Sequence, residues 1–253
     1  MAKDKLVVGN WKMYVGTVEE AKRIVRKIRR TALQLEHTET VVCPPYVLIP
    51  FCVSRKGNKT VLIGSQTVSF EKEGSHTGEV GASMLRDVGV TYVLAGHSEE
   101  RSAGDTDQIV SKRILAVLDA GLKPIVCVGE NERDPGGSYL EVLKNQIKNS
   151  LHGIPKEQAR NIVIAYEPIW AIGAKGAMEP TNIHETMLFV KKTFSDLFGH
   201  GPAMKVKVLY GGAVNHRNAL DIITIGKADG LLVGRESVNM AGFPELLKVV
   251  DVS

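Results

Sequence analysis

Four polar side chains, three of them able to hold charge or move a proton, stand just beyond short β-branched runs in this 253-residue chain. Asn10 and Lys12 follow Leu6–Val8, His97 follows Thr91–Ala95, and Glu167 follows Asn161–Ala165 with Tyr166 between. A carboxylate beside Pro168, Ile169 and Trp170 is partly desolvated, which raises its pKa toward the range of a general base; the alternative is a solvated loop Glu or a helix N-terminal charge. His97 lies between Gly96 and the acidic stretch Ser98-Glu99-Glu100. An imidazole there accepts a backbone N–H, is disfavoured as imidazolium and can donate from its other nitrogen; the alternative is a capping His with a structural task only. Lys12 is either a surface lysine, as most are, or a cation aimed into a site.

Glycine supplies the second chemical theme. Gly211-Gly212 follows the run Lys205–Leu209, and Gly234-Arg235 follows Ala228–Val233. Loops of this kind offer backbone N–H groups to a phosphate. Pro168–Met178, directly after Glu167, has a small apolar tip bounded by Pro and Trp, as expected of either a closing lid or a packed surface loop. The His residues other than His97 show no metal-ligand spacing, and Cys43, Cys52 and Cys127 form no CxxC, so no zinc site is expected.

These residues need elements to position them. Eight continuous β-branched runs recur along the chain: Leu6–Val8, Thr40–Val42, Val61–Ile63, Thr91–Ala95, Lys123–Val128, Asn161–Ala165, Lys205–Leu209 and Ala228–Val233. Continuity rather than alternation is the mark of strands buried on both faces. Helical patterns fill the gaps. Thr17-Val18-Glu19-Glu20 is a capping box opening a helix with Ala21, Ile24, Val25 and Ile28 on one stripe. Asp107–Ala120 stops before Gly121, and Pro180–Phe198 carries Ile183, Met187, Leu188, Val190 and Phe194. Eight strand–helix units in one chain of this length predict an α/β fold, a single-domain (β/α)8 barrel spanning residues 1–253. An open doubly wound sheet would want a glycine-rich fingerprint after the first strand, and Gly9-Asn10-Trp11-Lys12 is not one. In such a barrel the loops following the strands form the site.

Composition agrees with a globular chain. Hydrophobic residues make up 43%, enough for a sizeable core, and the net charge is only +4 with both signs interspersed. The densest basic run, Lys22–Arg30, has apolar residues at helical spacing and reads as a solvated helix face rather than a nucleic-acid patch. No signal-peptide core and no membrane-length apolar stretch is present, and the odd, unpaired cysteines fit a reducing compartment; a cytoplasmic location is expected.

In order and spacing, Gly9-Asn10-Trp11-Lys12-Met13, Thr77-Gly78-Glu79, Ala95-Gly96-His97-Ser98-Glu99, Cys127-Val128-Gly129-Glu130, Ala165–Gly173 and Leu209-Tyr210-Gly211-Gly212 resemble the triosephosphate isomerase family along essentially the whole chain. The resemblance implies interconversion of dihydroxyacetone phosphate and D-glyceraldehyde 3-phosphate through an enediol(ate). Glu167 is then the base, His97 the neutral electrophile and Lys12 the positive charge for phosphate and oxyanion. Asn10 bonds the substrate oxygen and Glu99 orders Lys12. Gly173, Gly212 and Gly234 offer N–H groups to the phosphate, in loops that also contain Ala213 and Arg235. No metal or organic cofactor is implied. A homodimer is, with the Gln66–Gly81 loop reaching the partner near Asn10.

The chain departs from the family pattern at Glu100 (usually Arg), at the lid tip Gly173-Ala174-Lys175-Gly176, at Ala213 (usually Ser) and at Arg235 (usually Gly). Glu100 is expected to remove an intersubunit ion pair, and Arg235 either compensates for Ala213 or points to solvent. Two other classes compete with an active isomerase. A phosphate-sensing scaffold would have lost its base or electrophile, and Glu167, His97 and Lys12 are all in place. A barrel epimerase would want metal ligands at several strand ends.

Overall fold

Parallel strands form at all eight of the β-branched runs: β1 Lys5–Asn10, β2 Thr38–Cys43, β3 Val61–Ser65, β4 Tyr92–Ala95, β5 Lys123–Val128, β6 Val163–Tyr166, β7 Lys207–Tyr210 and β8 Gly230–Val233. Each pairs with its sequence neighbour and β8 pairs with β1, closing a barrel. The computed structural model describes residues 3–54, 60–172 and 177–253; the lid-tip residues Gly173, Ala174, Lys175 and Gly176 lie outside that set. The helices, in chain order, are α1 Val18–Ala32, α2 Ile49–Cys52, α3 Ala82–Asp87, α4 Ser98–Ser102, α5 Asp107–Asp119, α6 Ser138–Ser150, α7 Pro180–Phe198, α8 His200–Ala203, α9 Ala219–Thr224 and α10 Gly242–Asp251.

Continuous apolar strands make sense because the two strand faces bury into two different cores. Leu6, Val8, Val41, Leu94, Ile125, Ala165, Leu209 and Leu232 fill the barrel interior. Val7, Val42, Val93, Val126, Ile164, Val208 and Val233 point outward into a layer shared with the helices. From α1 that layer receives Ala21, Ile24, Val25 and Ile28, the stripe expected from the sequence. Thr17 caps α1 by accepting from the Glu20 N–H. The stripe on α7 is narrower than expected. Ile183, Met187, Val190 and Phe194 are buried, whereas Leu188 faces solvent at 57% exposure because it falls off the inward face of the helix.

Strand limits differ from the sequence reading at several ends. Asn161 closes a 3-10 turn (Lys156–Asn161) and β6 begins at Val163. Lys205 and Val206 follow α8, and both of their N–H groups go to Pro202 O, so β7 begins at Lys207. The start of β2 is clasped to the end of α10. Asp251 accepts the N–H groups of Glu36, His37 and Thr38 at 3.0, 2.8 and 2.8 Å.

Candidate active site

Loop geometry at the mouth begins with Lys12, whose φ of +45° is left-handed. A long side chain adopts that conformation only where its surroundings impose it. Here Asn10 Oδ1 accepts the Lys12 N–H at 3.0 Å, and Gln66 Nε2 donates both to Lys12 O at 3.0 Å and to Cys43 O at 2.9 Å. The loops after β1, β2 and β3 are thereby locked together. Lys12 Nζ contacts Glu99 Oε1 at 2.7 Å, so the carboxylate on α4 fixes the ammonium. Asn10 is buried, and its Nδ2 has no acceptor among the described residues.

Gly96 turns β4 into α4 at φ +73°, where a Cβ would meet Val110 and Arg101 Nη2 within 3 Å. That turn seats His97 as the N-cap of α4. Its Nδ1 accepts the Glu99 N–H at 3.2 Å, leaving Nε2 to carry the proton. Nε2 lies 3.4 Å from Glu167 Oε1. Both residues are 4% exposed, and among the described residues Glu167 Oε2 has no hydrogen-bond partner within bonding distance. Glu167 fits because Gly211 opposes it: a Cβ on Gly211 would stand 2.6 Å from Glu167 Cγ.

The titration behaviour of this pair departs from the sequence reading. Desolvation pushes Glu167 up and His97 down, as expected, but the contact between them outweighs it, with Cys127 and Lys12 also favouring the Glu167 carboxylate. Glu167 is held below the ordinary carboxylate range and His97 above the ordinary imidazole value. The sequence could place each group in its own environment but not beside the other.

Asn10, Lys12, His97, Glu167, Gly212, Ala213, Gly234 and Arg235 line one pocket of about 380 Å³. The backbone N–H groups of Gly212, Ala213, Gly234 and Arg235 take no partner among the described residues. They lie on the two glycine-bearing loops that line the pocket. Ala213 has no side-chain donor, and its carbonyl accepts from Asn218 Nδ2 at 2.9 Å. Arg235 is exposed and lies over the Tyr14 ring, 5.3 Å from its centroid. Gly173 falls outside the described residues. Among the described residues no group of three or more His, Cys, Asp or Glu could hold a metal ion.

Several residues of the site were not singled out by sequence. Glu130, buried after β5, accepts from Trp170 Nε1 at 2.9 Å and Tyr166 OH at 2.8 Å, and its carbonyl accepts the Ile169 N–H at 2.9 Å. Tyr210 OH accepts the Met178 N–H at 3.1 Å. Both described flanks of the 169–178 segment are therefore pinned to the barrel. Arg101 donates to Gly96 O at 2.8 Å and to Asp107 at 2.6 Å, fastening the His97 turn. The Gly129-Glu130 pair at a strand end was the available signal for Glu130; the tyrosines read as ordinary core. Glu100, expected to leave an ion pair between subunits unmade, is engaged within the chain by Arg113 at 3.0 Å.

The chain is similar to known proteins over nearly its whole length. The family model described as "Triosephosphate isomerase" matches residues 5–250. Triosephosphate isomerase from Carboxydothermus hydrogenoformans is 39% identical over 245 residues, covering 96% of this chain and 97% of the relative. That from Moorella thermoacetica is 38% identical with the same coverage. The crystal structure of triosephosphate isomerase from Bartonella henselae superposes with a TM-score of 0.84 at 32% identity, covering 97% of this chain and 98% of that one. With a closed eight-stranded barrel, this mouth geometry and a match running from the first strand to the last helix, the chain belongs to the triosephosphate isomerase family.

Proposed function

We propose that this chain interconverts dihydroxyacetone phosphate and D-glyceraldehyde 3-phosphate by moving a proton between adjacent carbons. The observation that carries the reading is the 3.4 Å approach of His97 Nε2 to Glu167 Oε1 at the floor of a pocket rimmed by free backbone N–H groups. In the proposed reaction the Glu167 carboxylate takes a proton from C1 of the ketose. His97 Nε2–H, Asn10 Nδ2 and Lys12 Nζ stabilise the charge that develops on the carbonyl oxygen. His97 Nε2 gives its proton to the C2 oxygen and takes one back from the C1 hydroxyl, and Glu167, now protonated, delivers its proton to C2, so that C1 becomes the aldehyde carbon and C2 carries the hydroxyl. Gly212, Ala213 and Gly234 hold the phosphate through N–H groups, and Glu99 positions Lys12. The resemblance also assigns a phosphate N–H to Gly173. No cofactor enters the scheme.

Substrate changes the electrostatics of the pair. A carbonyl between Glu167 and His97 parts them, and the mutual attraction that lowered one pKa and raised the other is lost. Desolvation, the largest influence on each, then raises Glu167 against the remaining pull of Cys127 and Lys12 and favours neutral imidazole at His97. The free site thus stores an ionised carboxylate, and the occupied site makes it basic.

We also propose that the protein works as one catalytic domain, as a homodimer and in the cytoplasm. Support for the dimer comes from the projecting, exposed segment 72–79 and from exposed Met13, Val47 and Met84 on neighbouring loops and α3. Three free, buried cysteines are consistent with a reducing compartment, and no described helix is long and apolar enough to cross a membrane.

A coupled assay of glyceraldehyde 3-phosphate formation tests the activity. Purified protein should turn over the ketose, and Glu167→Gln should cut kcat by at least ~10²-fold with the fold intact. Parent protein without turnover, or a Gln variant as fast as the parent, would overturn the reading.

A further inference from the structure

We propose that Arg235, held at the rim of the pocket by Tyr14, is a specificity-determining cation that captures the anionic end of the substrate. The inference rests on the isomerase reading above and deepens it. It starts from an inventory of charge around the mouth. Lys12 carries a positive charge there, but Glu99 contacts it at 2.7 Å. His97 and Glu167 face each other as a pair. Glu236 also lines the pocket, yet its carboxylate turns toward the start of α10, where Asn239 Nδ2 donates to both oxygens at 3.4 and 3.3 Å and His216 Nδ1 lies 3.7 Å away. Each of these charges has an answering group.

Arg235 does not. Among the described residues its guanidinium has no carboxylate and no hydrogen-bond acceptor. It nonetheless lies over the Tyr14 ring, 5.3 Å from the centroid. A cation over an aromatic face is attracted by the ring without using the guanidinium N–H donors. Tyr14 belongs to the loop after β1 that carries Lys12, and Arg235 follows Gly234 on the loop after β8, so the contact spans the two loops that flank the pocket. A Cβ on Gly234 would stand 3.9 Å from Lys12 Cε, which places the Arg235 backbone close to the Lys12 stem. Among the described residues, the uncompensated positive charge at the entrance is therefore Arg235.

A cation in this position acts differently from the backbone N–H groups deeper in the pocket. It attracts a phosphate dianion from solution and discriminates against ligands lacking that charge, and its effect is screened by salt. Chemistry at the Glu167–His97 pair does not pass through it. Arg235 is thus a positioning and selectivity residue rather than a catalytic one.

The test measures kcat and KM for the triose phosphates across ionic strength in the parent, Arg235→Ala, Arg235→Glu, Tyr14→Ala and the double alanine variant. Arg235 is exposed, and a thermal melt of each variant registers any loss of fold. Arg235→Ala should raise KM about 3–10-fold at low salt with kcat within about twofold, and flatten the dependence of kcat/KM on salt. Charge reversal should exceed it. Tyr14→Ala should reproduce part of the loss, and the double variant should be no worse than Arg235→Ala. Proton exchange on unphosphorylated glyceraldehyde should not distinguish Arg235→Ala from the parent. An active parent whose KM and salt dependence survive both Arg235 substitutions would overturn this proposal while leaving the isomerase reading intact; an inactive parent would instead overturn that reading.

Discussion

Residues with chemistry to offer were legible where a strand run ended, because in a closed barrel every such position reaches the same mouth. Asn10, Lys12, His97 and Glu167 met there without any knowledge of pairing. What sequence could not supply was the distance between groups 70 positions apart. Environment alone suggested a raised Glu167 and a depressed His97, and a 3.4 Å contact reverses both in the free site. The reversal predicts a titration. The His97 imidazole in the unliganded parent should titrate above its ordinary value of about 6.5. Removing the carboxylate in Glu167→Gln leaves desolvation and Lys12, which lower it, against the smaller pull of Glu99, which raises it, so His97 should then titrate below that value. Nitrogen-15 NMR of the imidazole reads both numbers; an unchanged value would mean that the pair is not coupled. The sign for stability follows. The contribution from depressed Glu167 is present above its unfolded pKa and lost as pH falls through the folded one. That from raised His97 is present below its unfolded pKa and lost as pH rises through the folded one. The pair stabilises the fold most in the window between the two unfolded values; Glu167→Gln should remove the acid-side loss due to Glu167 and reverse the slope at the other edge, stability then rising with pH up to the unfolded value of His97.

Elements were legible in number and order but less so at their ends. Runs of β-branched residues mark the middle of a strand, whereas its limits are set by hydrogen bonds to distant partners. Asp251 illustrates the difference. Nothing in the last helix announces that its carboxylate receives three N–H groups from residues 36–38, more than two hundred positions earlier. Desolvation raises the Asp251 pKa, but those donors outweigh it and hold the group below the ordinary aspartate range. Its stabilisation is therefore present above the unfolded value near 3.9 and lost as pH falls through the folded one. Asp251→Asn should cost about 1–2 kcal/mol at neutral pH, toward the low end for charged hydrogen bonds because the site is partly solvated. The variant's deficit should shrink on acidification. Urea melts at pH 7 and pH 3 measure both quantities, with turnover expected to be unaffected because Asp251 clasps the strand end opposite the mouth. A deficit equal at the two pH values would show that charge plays no part in the clasp.

At the scale of the whole molecule, eight repeats of one strand–helix unit leave little topological choice, since parallel strands with right-handed crossovers close once the eighth meets the first. Assembly is a separate matter, because a surface that looks unfinished in one chain can be complete in two. Met13 is 93% exposed, Val47 77% and Met84 58%, while the segment 72–79 projects from its anchors at Ser69 and Val80, which pair at 2.9 Å. Large exposed apolar side chains are unfavourable in water and favourable in an interface. The same face carries the strained backbone of Lys12, whose own chain braces it through Asn10 and Gln66 but leaves Met13 bare. A second copy inserting its 66–81 loop beside Met13 would cover the apolar residues and confine the loop that presents the ammonium. The assembly should bury at least about 1,200 Å² in total. Light scattering at micromolar concentration should return the mass of two chains. Thr77→Arg places a bulky charge at the tip of the inserting loop and should shift the mass to one chain, with kcat at least ~10-fold lower as Lys12 loses its support. Glu100 is taken up by Arg113 and Asp105 by the same guanidinium, so Glu100→Gln should leave the mass unchanged. A parent of one-chain mass with full turnover would refute the dimer, and a Thr77→Arg monomer as fast as the parent would show that Asn10 and Gln66 are brace enough.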